Sequence, residues 1–141
     1  MDDAQFEQWV GKAKAGVVAY LESQGIDSPN VGPWPAWEIA PKFAIWPVES
    51  KKCPGKIGWW AFCGDCPTDY VSESGNCHPR AALKDLLDNW AECIPYMRRG
   101  ENGPNSVMGP KDQLPHLAEL LHSRVQILTE WYLDDDLWED R

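Results

Sequence analysis

The sequence predicts an α+β fold: a small antiparallel sheet packed against one N-terminal helix and two C-terminal helices. Three observations carry this. Helical periodicity is confined to the start of the chain and to the residues from Pro79 onward, while the strand-like runs lie together between them. No strand–helix alternation of the kind that builds a parallel sheet is present. All 12 prolines lie between residues 29 and 115, so both terminal helical segments are free of interior breaks.

The first helix is expected over residues 4–24. Phe6, Val10, Ala13, Val17 and Tyr20/Leu21 recur at three and four. Asp2 or Asp3 can cap its start, and Gly25 suits the left-handed residue that ends it. Residues 26–36, with Pro29, Gly32, Pro33 and Pro35, form an irregular connection whose Trp34 and Trp37 pack against the fold. A strand is expected over 37–49, with Trp37, Ile39, Phe43, Ile45 and Val48. Pro41 and Pro47 remove ladder donors, which favours an edge position or a bulge. A basic turn (Lys51, Lys52, Lys56) leads to a second strand over 57–63, completing a hairpin that a short strand at 69–72 can extend. Pro79 opens a helix, with Leu83, Leu86/Leu87, Trp90 and Ile94 on one face, that Pro95 is expected to stop near Cys93. An exposed loop follows. The last helix begins near Gln113–Pro115, with Leu114, Leu117, Leu121, Val125, Leu128 and Trp131/Tyr132 as its apolar stripe.

At 141 residues the chain fits a single domain, 1–141, able to bury a core without metal or disulfide support. Thirteen basic residues face 22 acidic ones, a net charge of −9, which argues against a nucleic-acid backbone or an anionic membrane as partner. No run of 18 apolar residues exists, and Met1-Asp2-Asp3-Ala4 lacks the basic and apolar regions of a secretion signal. Five cysteines, an odd number, then read as reduced thiols of a cytoplasmic protein.

Cys63-Gly64-Asp65-Cys66, after Trp59-Trp60-Ala61-Phe62, resembles a thioredoxin-type active-site run. Its chemistry needs a thiolate at a helix N-terminus and later strands to complete the sheet, and the remaining chain is helical. A zinc site would draw on Cys63, Cys66, Cys77 and His78, or on Cys53 in place of one. It lacks a second knuckle, and adjacent Cys77 and His78 rarely reach one tetrahedral ion together. Thiol-redox or structural zinc chemistry at Cys63–Cys66 is therefore the alternative to the leading reading, which assigns no cofactor and no metal.

Glu119 and His122 have the i, i+3 spacing of di-iron carboxylate bundles, but the second pair those sites need is missing. His78 can cap the second helix. Asp65 and Asp69 are ordinary turn residues unless a pocket brings them together with His78. No phosphate loop, dinucleotide fingerprint or nucleophile–base pair is visible, so no catalytic residue is assigned.

Nine tryptophans are unusual for this length, and tryptophan is enriched in interface hot spots. Trp59 and Trp60 are consecutive on a strand and point to opposite faces. One of them must leave the core unless both faces are covered. In the stretch from His116 to Arg141, Arg124 and Arg141 stand against seven carboxylates. Asp134-Asp135-Asp136 at a helix C-terminus opposes the macrodipole, and Leu137 and Trp138 follow. Taken together, the residues expected to form a binding surface are Trp59, Trp60, Asp65, Thr68, Asp69, Asp134, Asp135, Asp136 and Trp138. The expected role is a non-enzymatic protein-binding module of inhibitor or immunity type, with a basic protein as partner.

Over Gly64-Asp65-Cys66-Pro67-Thr68-Asp69-Tyr70 the chain resembles an uncharacterised family of small bacterial proteins, domain of unknown function four-eight-two-six. The resemblance implies an N-terminal helix holding Trp9 and a strand ending in Gly-Asp-x-Pro-Thr-Asp. It further implies a helix opening near Arg80 and Ala81 and holding Trp90, and a final helix ending in the acidic run before Leu137-Trp138. The chain departs from the pattern in having cysteines at 63 and 66. The Cys-x-x-Cys is then peculiar to this protein, which weakens both metal and redox readings. The resemblance supplies no activity.

Overall fold

The structure is a computed structural model that describes residues 1–104 and 107–139. Its packing divides into two compact units, Met1–Ala82 and the chain from Leu83 onward. The α+β prediction holds: three helices accompany a four-stranded antiparallel sheet. Among the described residues no helix is long and apolar enough to cross a membrane.

In the first unit, α1 (Asp3–Ser23) opens on a reciprocal cap. The Asp2 carboxylate accepts the Gln5 N–H at 2.8 Å, and the Gln5 side chain accepts the Asp2 N–H at 2.9 Å. It closes on Gly25 at φ +91°, with Gly25 N–H donating to the Glu22 carbonyl and Ile26 N–H to that of Leu21, a Schellman arrangement. Val10, Val17 and Leu21, one stripe of α1, are buried against the sheet.

The strands are β1 (Trp37–Ile39), β2 (Phe43–Glu49), β3 (Ile57–Gly64) and β4 (Asp69–Ser72), a meander in chain order. The strand expected over 37–49 is thus two strands. Residues 40–42 turn between them, with Pro41 in the turn, and Trp37 pairs with Ile45. Apolar alternation runs through both halves, so periodicity alone does not reveal the reversal. β2 is consequently an interior strand and not the edge its prolines suggest. It tolerates Pro47 for a local reason. The Pro47 carbonyl accepts Gly32 N–H at 2.9 Å, on the side away from β3, and the nitrogen of a strand residue faces the same side as its carbonyl. The missing donor therefore costs the β2–β3 ladder nothing.

Ala44, Trp46 and Val48 of β2 share one face with Ala61 and Cys63 of β3 and pack under α1. Trp37, Phe43, Ile45, Trp60 and Phe62 occupy the opposite face and are also buried. Phe43 stacks on Phe62 and meets Trp37 edge-on, each at 6.2 Å between ring centroids. Burial on both faces explains the nearly unbroken apolar runs of β2 and β3.

The helix α2 (Pro79–Arg98) begins in the first unit and continues into the second. It passes through Pro95, which does not stop it. The proline ring deprives only the Ala91 carbonyl of its donor, and both residues lie on the exposed side. Leu86, Trp90, Cys93 and Met97 on its other side are buried. In the second unit a 3-10 turn (Lys111–Gln113) leads into α3 (Leu114–Leu133), where Leu114, Ala118, Leu121 and Leu128 are buried. Arg98 of α2 reaches Glu119 of α3 at 3.0 Å, an exposed pair that contributes little to stability.

Candidate functional site

The segment 32–36 forms an exposed arch on the first unit. Gly32 N–H donates to Pro47 O at 2.9 Å and Ala36 N–H to Ile45 O at 2.8 Å. Both ends are therefore pinned to β2, but five residues on one side face three on the other. Between the pins, Pro33 and Pro35 have no N–H to offer the sheet. The excess chain arches outward and displays Trp34, which is 53% exposed. Gly32 suits the first pin, since a Cβ there would stand 2.9 Å from Pro47 Cγ and the ring would have to shift.

Phe6, on the first turns of α1, stacks nearly parallel to Trp34 (6.2 Å, 2°), and Trp9 lies 5.9 Å from Phe6. Phe6, Trp34, Pro35, Ala36, Trp37 and Glu38 line an open cleft of about 330 Å³. The Glu38 carboxylate on its wall accepts the Ala40 N–H at 2.6 Å, which fixes its position. Asp2, Asp3 and Glu7 flank Phe6 in sequence. Residues 1–38 carry six carboxylates against two lysines. The arrangement sets aromatic side chains beside Glu38.

The sequence-predicted residues are placed differently. Trp60 is 2% exposed and its indole donates to Glu73 at 3.1 Å. Trp59 is half-buried against the cluster under α1. Both faces of the sheet are covered at this pair, so neither tryptophan leaves the core as an open anchor. Asp65 is exposed and Thr68 half-buried. Asp69 is buried: its carboxylate accepts the Tyr70 N–H at 2.8 Å and lies 3.4 Å from the Tyr20 hydroxyl of α1. Burial first, then the charge of Asp69 and the bond to it, and then neighbouring Tyr70, hold the Tyr20 phenol above the ordinary tyrosine range. Asp69 thus ties α1 to the start of β4. Gly64, at the other end of the same motif, sits at φ +133° with the Lys42 carbonyl packed against its Cα, and that carbonyl accepts Asp65 N–H at 2.8 Å. Much of Gly-Asp-x-Pro-Thr-Asp is explained by folding. The cleft does not include Asp65, Asp69 or His78.

Glu73 organises the approach to α2. It accepts from the Trp60 indole, from Gly75 N–H at 2.7 Å and from Cys77 N–H at 3.0 Å. Desolvation works to raise its pKa. The Trp60 bond and the backbone donors outweigh that and hold the carboxyl below its ordinary range. His78 Nδ1 accepts Arg80 N–H at 3.0 Å, which is the helix cap that its place before Pro79 suggests.

Cys63 is buried on β3 with its neighbours under α1. Burial pushes its thiol up. The nearby Trp46 indole offsets this only in part. β3 ends at Gly64 and no helix starts before Pro79, so the Cys63–Cys66 run does not stand at a helix N-terminus. Cys66 is half-buried, and Cys77 and His78 are exposed. Among the described residues no group of three or more His, Cys, Asp or Glu side chains is placed to hold a metal ion.

In the second unit, Asp134 ends α3, and its side chain accepts Asp136 N–H at 3.1 Å at the start of a 3-10 turn (Asp135–Trp138). The acidic run therefore opens a helical turn as well as closing one, and there its charge suits the dipole. The Trp138 indole donates to the Trp131 carbonyl at 2.9 Å, which folds the tail back along α3. Asp140 and Arg141 of the acidic stretch lie outside the described residues.

Trp34 is the surface aromatic that sequence reasoning missed. The signal was present: a tryptophan between two prolines cannot be drawn into a sheet by its neighbours' N–H groups. No curated protein and no solved structure gives a significant match to the chain. A family model does, over residues 3–138, nearly the whole length. With the motif residues Gly64 and Asp69 accounted for in the fold, the chain belongs to the family described as Domain of unknown function (DUF4826).

Proposed function

We propose that the protein is a non-enzymatic, acidic, cytoplasmic binding module that docks a basic protein partner, as a small inhibitor or immunity-type protein does. The observation that supports this is Trp34: a large aromatic held half-exposed on a doubly pinned arch, stacked on Phe6 and backed by Glu38. Folding does not require a tryptophan at that position to face water, and pre-organised aromatics on rigid elements are the usual anchors of protein interfaces. The exposed thiols of Cys53 and Cys77 suit a reducing compartment.

The test is site-specific photo-crosslinking in cells that make the protein natively, with the crosslinker placed at exposed Asp3, one turn before Phe6 on α1, or, as control, at exposed Gln126 on α3. A discrete protein adduct at position 3 that is missing at 126 and lost in Trp34→Ala supports the module. Equal adducts at both positions, or none at position 3, would sink it.

A further inference from the structure

We infer that the partner docks through a short basic segment with one large apolar side chain, which enters the cleft while a lysine or arginine beside it faces the first turns of α1. This inference rests on the docking reading above. The cleft is the apolar seat. Phe6, Trp34, Pro35 and Ala36 give it ring and aliphatic surface, and covering such surface is favourable in proportion to the area removed from water. Its volume of about 330 Å³ admits one side chain of leucine or phenylalanine size. Glu38 on its wall is already bonded to the Ala40 N–H, so the seat itself is not where charge is read.

Charge is read on α1. Asp3 and Glu7 are both exposed, stand one turn apart at i and i+4, and bracket Phe6 in sequence. Like charges at this spacing repel each other, and a cation set beside them relieves the repulsion. No lysine or arginine lies within residues 1–11, so α1 offers neither carboxylate a basic neighbour at the three- or four-residue spacing at which helix side chains pair. The excess of carboxylates over residues 1–38 extends the same sign beyond this turn and steers a basic segment toward it. The two features select together. An acidic segment meets repulsion whatever its apolar side chain. A basic segment without an apolar side chain holds only to solvent-exposed carboxylates, which is a weak attachment.

The experiment follows the indole N–H resonances, with that of Trp34 assigned through Trp34→Phe. Blocked five-residue peptides with glycine at each end carry Lys-Leu-Lys, Gln-Leu-Gln, Glu-Leu-Glu or Lys-Gly-Lys between them. Lys-Leu-Lys should shift the Trp34 resonance saturably and bind about fivefold tighter than Gln-Leu-Gln. It should bind about tenfold tighter than Lys-Gly-Lys. The advantage over Gln-Leu-Gln should shrink in about 0.5 M salt. Glu7→Lys should weaken Lys-Leu-Lys and improve Glu-Leu-Glu, with Tm within about 2 °C of the parent. The milder Glu7→Gln should weaken Lys-Leu-Lys alone.

Gln-Leu-Gln binding as tightly as Lys-Leu-Lys, or Glu7→Lys leaving the order of the peptides unchanged, would overturn the inference. Lys-Gly-Lys binding as tightly as Lys-Leu-Lys would overturn it too, because the cleft would then be no seat. No saturable shift with any peptide, alongside a discrete crosslinked adduct at position 3, would overturn it while the docking reading stands. Failure of both experiments would remove both.

Discussion

Gly64→Ala should be among the most destabilising single-methyl additions this chain can receive. An added Cβ would stand 2.2 Å from the Lys42 carbonyl oxygen and 2.7 Å from Phe43 Cα, against the 3.0 Å below which real Cβ contacts essentially never occur. Both neighbours are backbone and cannot swing aside. Relief would require moving the Lys42 carbonyl by close to an ångström, which breaks its bond to Asp65 N–H, worth about 1 kcal/mol. It would also disturb the Phe43–Gly64 register. An alanine at φ +133° adds strain of about 1–3 kcal/mol. With about 1 kcal/mol more for the disturbed ladder bond, the total is about 3–5 kcal/mol, a large share of the roughly 5–15 kcal/mol that holds a typical domain together. The control is Gly75→Ala: its φ of +104° carries similar strain, but nothing lies within 4 Å of its Cβ. Thermal unfolding followed by far-ultraviolet circular dichroism should show Gly64→Ala melting about 10–20 °C below the parent and Gly75→Ala only about 3–8 °C below. If the two variants melt within about 2 °C of each other, close backbone approach at Gly64 is not what the motif glycine serves.

Three further outcomes are expected. Tyr20 has its folded pKa raised above the unfolded value of 10.0, so the unfolded chain loses this proton first and stability falls as pH rises past 10.0. Tyr20→Phe should remove a slope of up to about 1 kcal/mol between about pH 10 and 11, reduced by the partial exposure of the phenol, as read from urea midpoints; an unchanged slope would refute the assignment. Pro95→Ala restores a donor for the Ala91 carbonyl and should stabilise α2 by about 1–3 kcal/mol, seen as a higher Tm, whereas a lower Tm would show that the ring packs usefully. In thiol labelling of the native protein, Cys53 and Cys77 should react quickly, while Cys63 and Cys93 wait for denaturant. Fast reaction at Cys63 would revive the redox reading.

For the Asp69–Tyr20 tie and the Glu73 bonds to Trp60, Gly75 and Cys77, long-range contact matters more than local pattern. In each case the carboxylate looks in sequence like an ordinary loop residue, and only the chain brought against it turns it into an anchor. The site residues chosen from composition were likewise those whose local signals were strongest. Asp134 to Asp136 read in sequence as a charge run, and the Asp134 carboxylate bonds within the turn they form. Trp138 was selected as an apolar anchor, and its indole is engaged with Trp131.

What the amino-acid order determined by itself was whatever depends on neighbours within a few residues. The cap at Asp2, the glycine stop at Gly25, the histidine cap before Pro79 and the buried stripes of α2 and α3 all follow from bonds or spacings inside one or two turns. The Gly64–Asp69 motif identified the family for the same reason, because it is contiguous. The tertiary structure alone decided the rest: that residues 40–42 reverse the chain, that Pro95 rides through α2, that Trp60 is enclosed, and that Trp34 faces water. A proline reports a missing donor and a tryptophan a large apolar surface. Whether that donor is needed, or that surface covered, depends on which distant segment arrives opposite it.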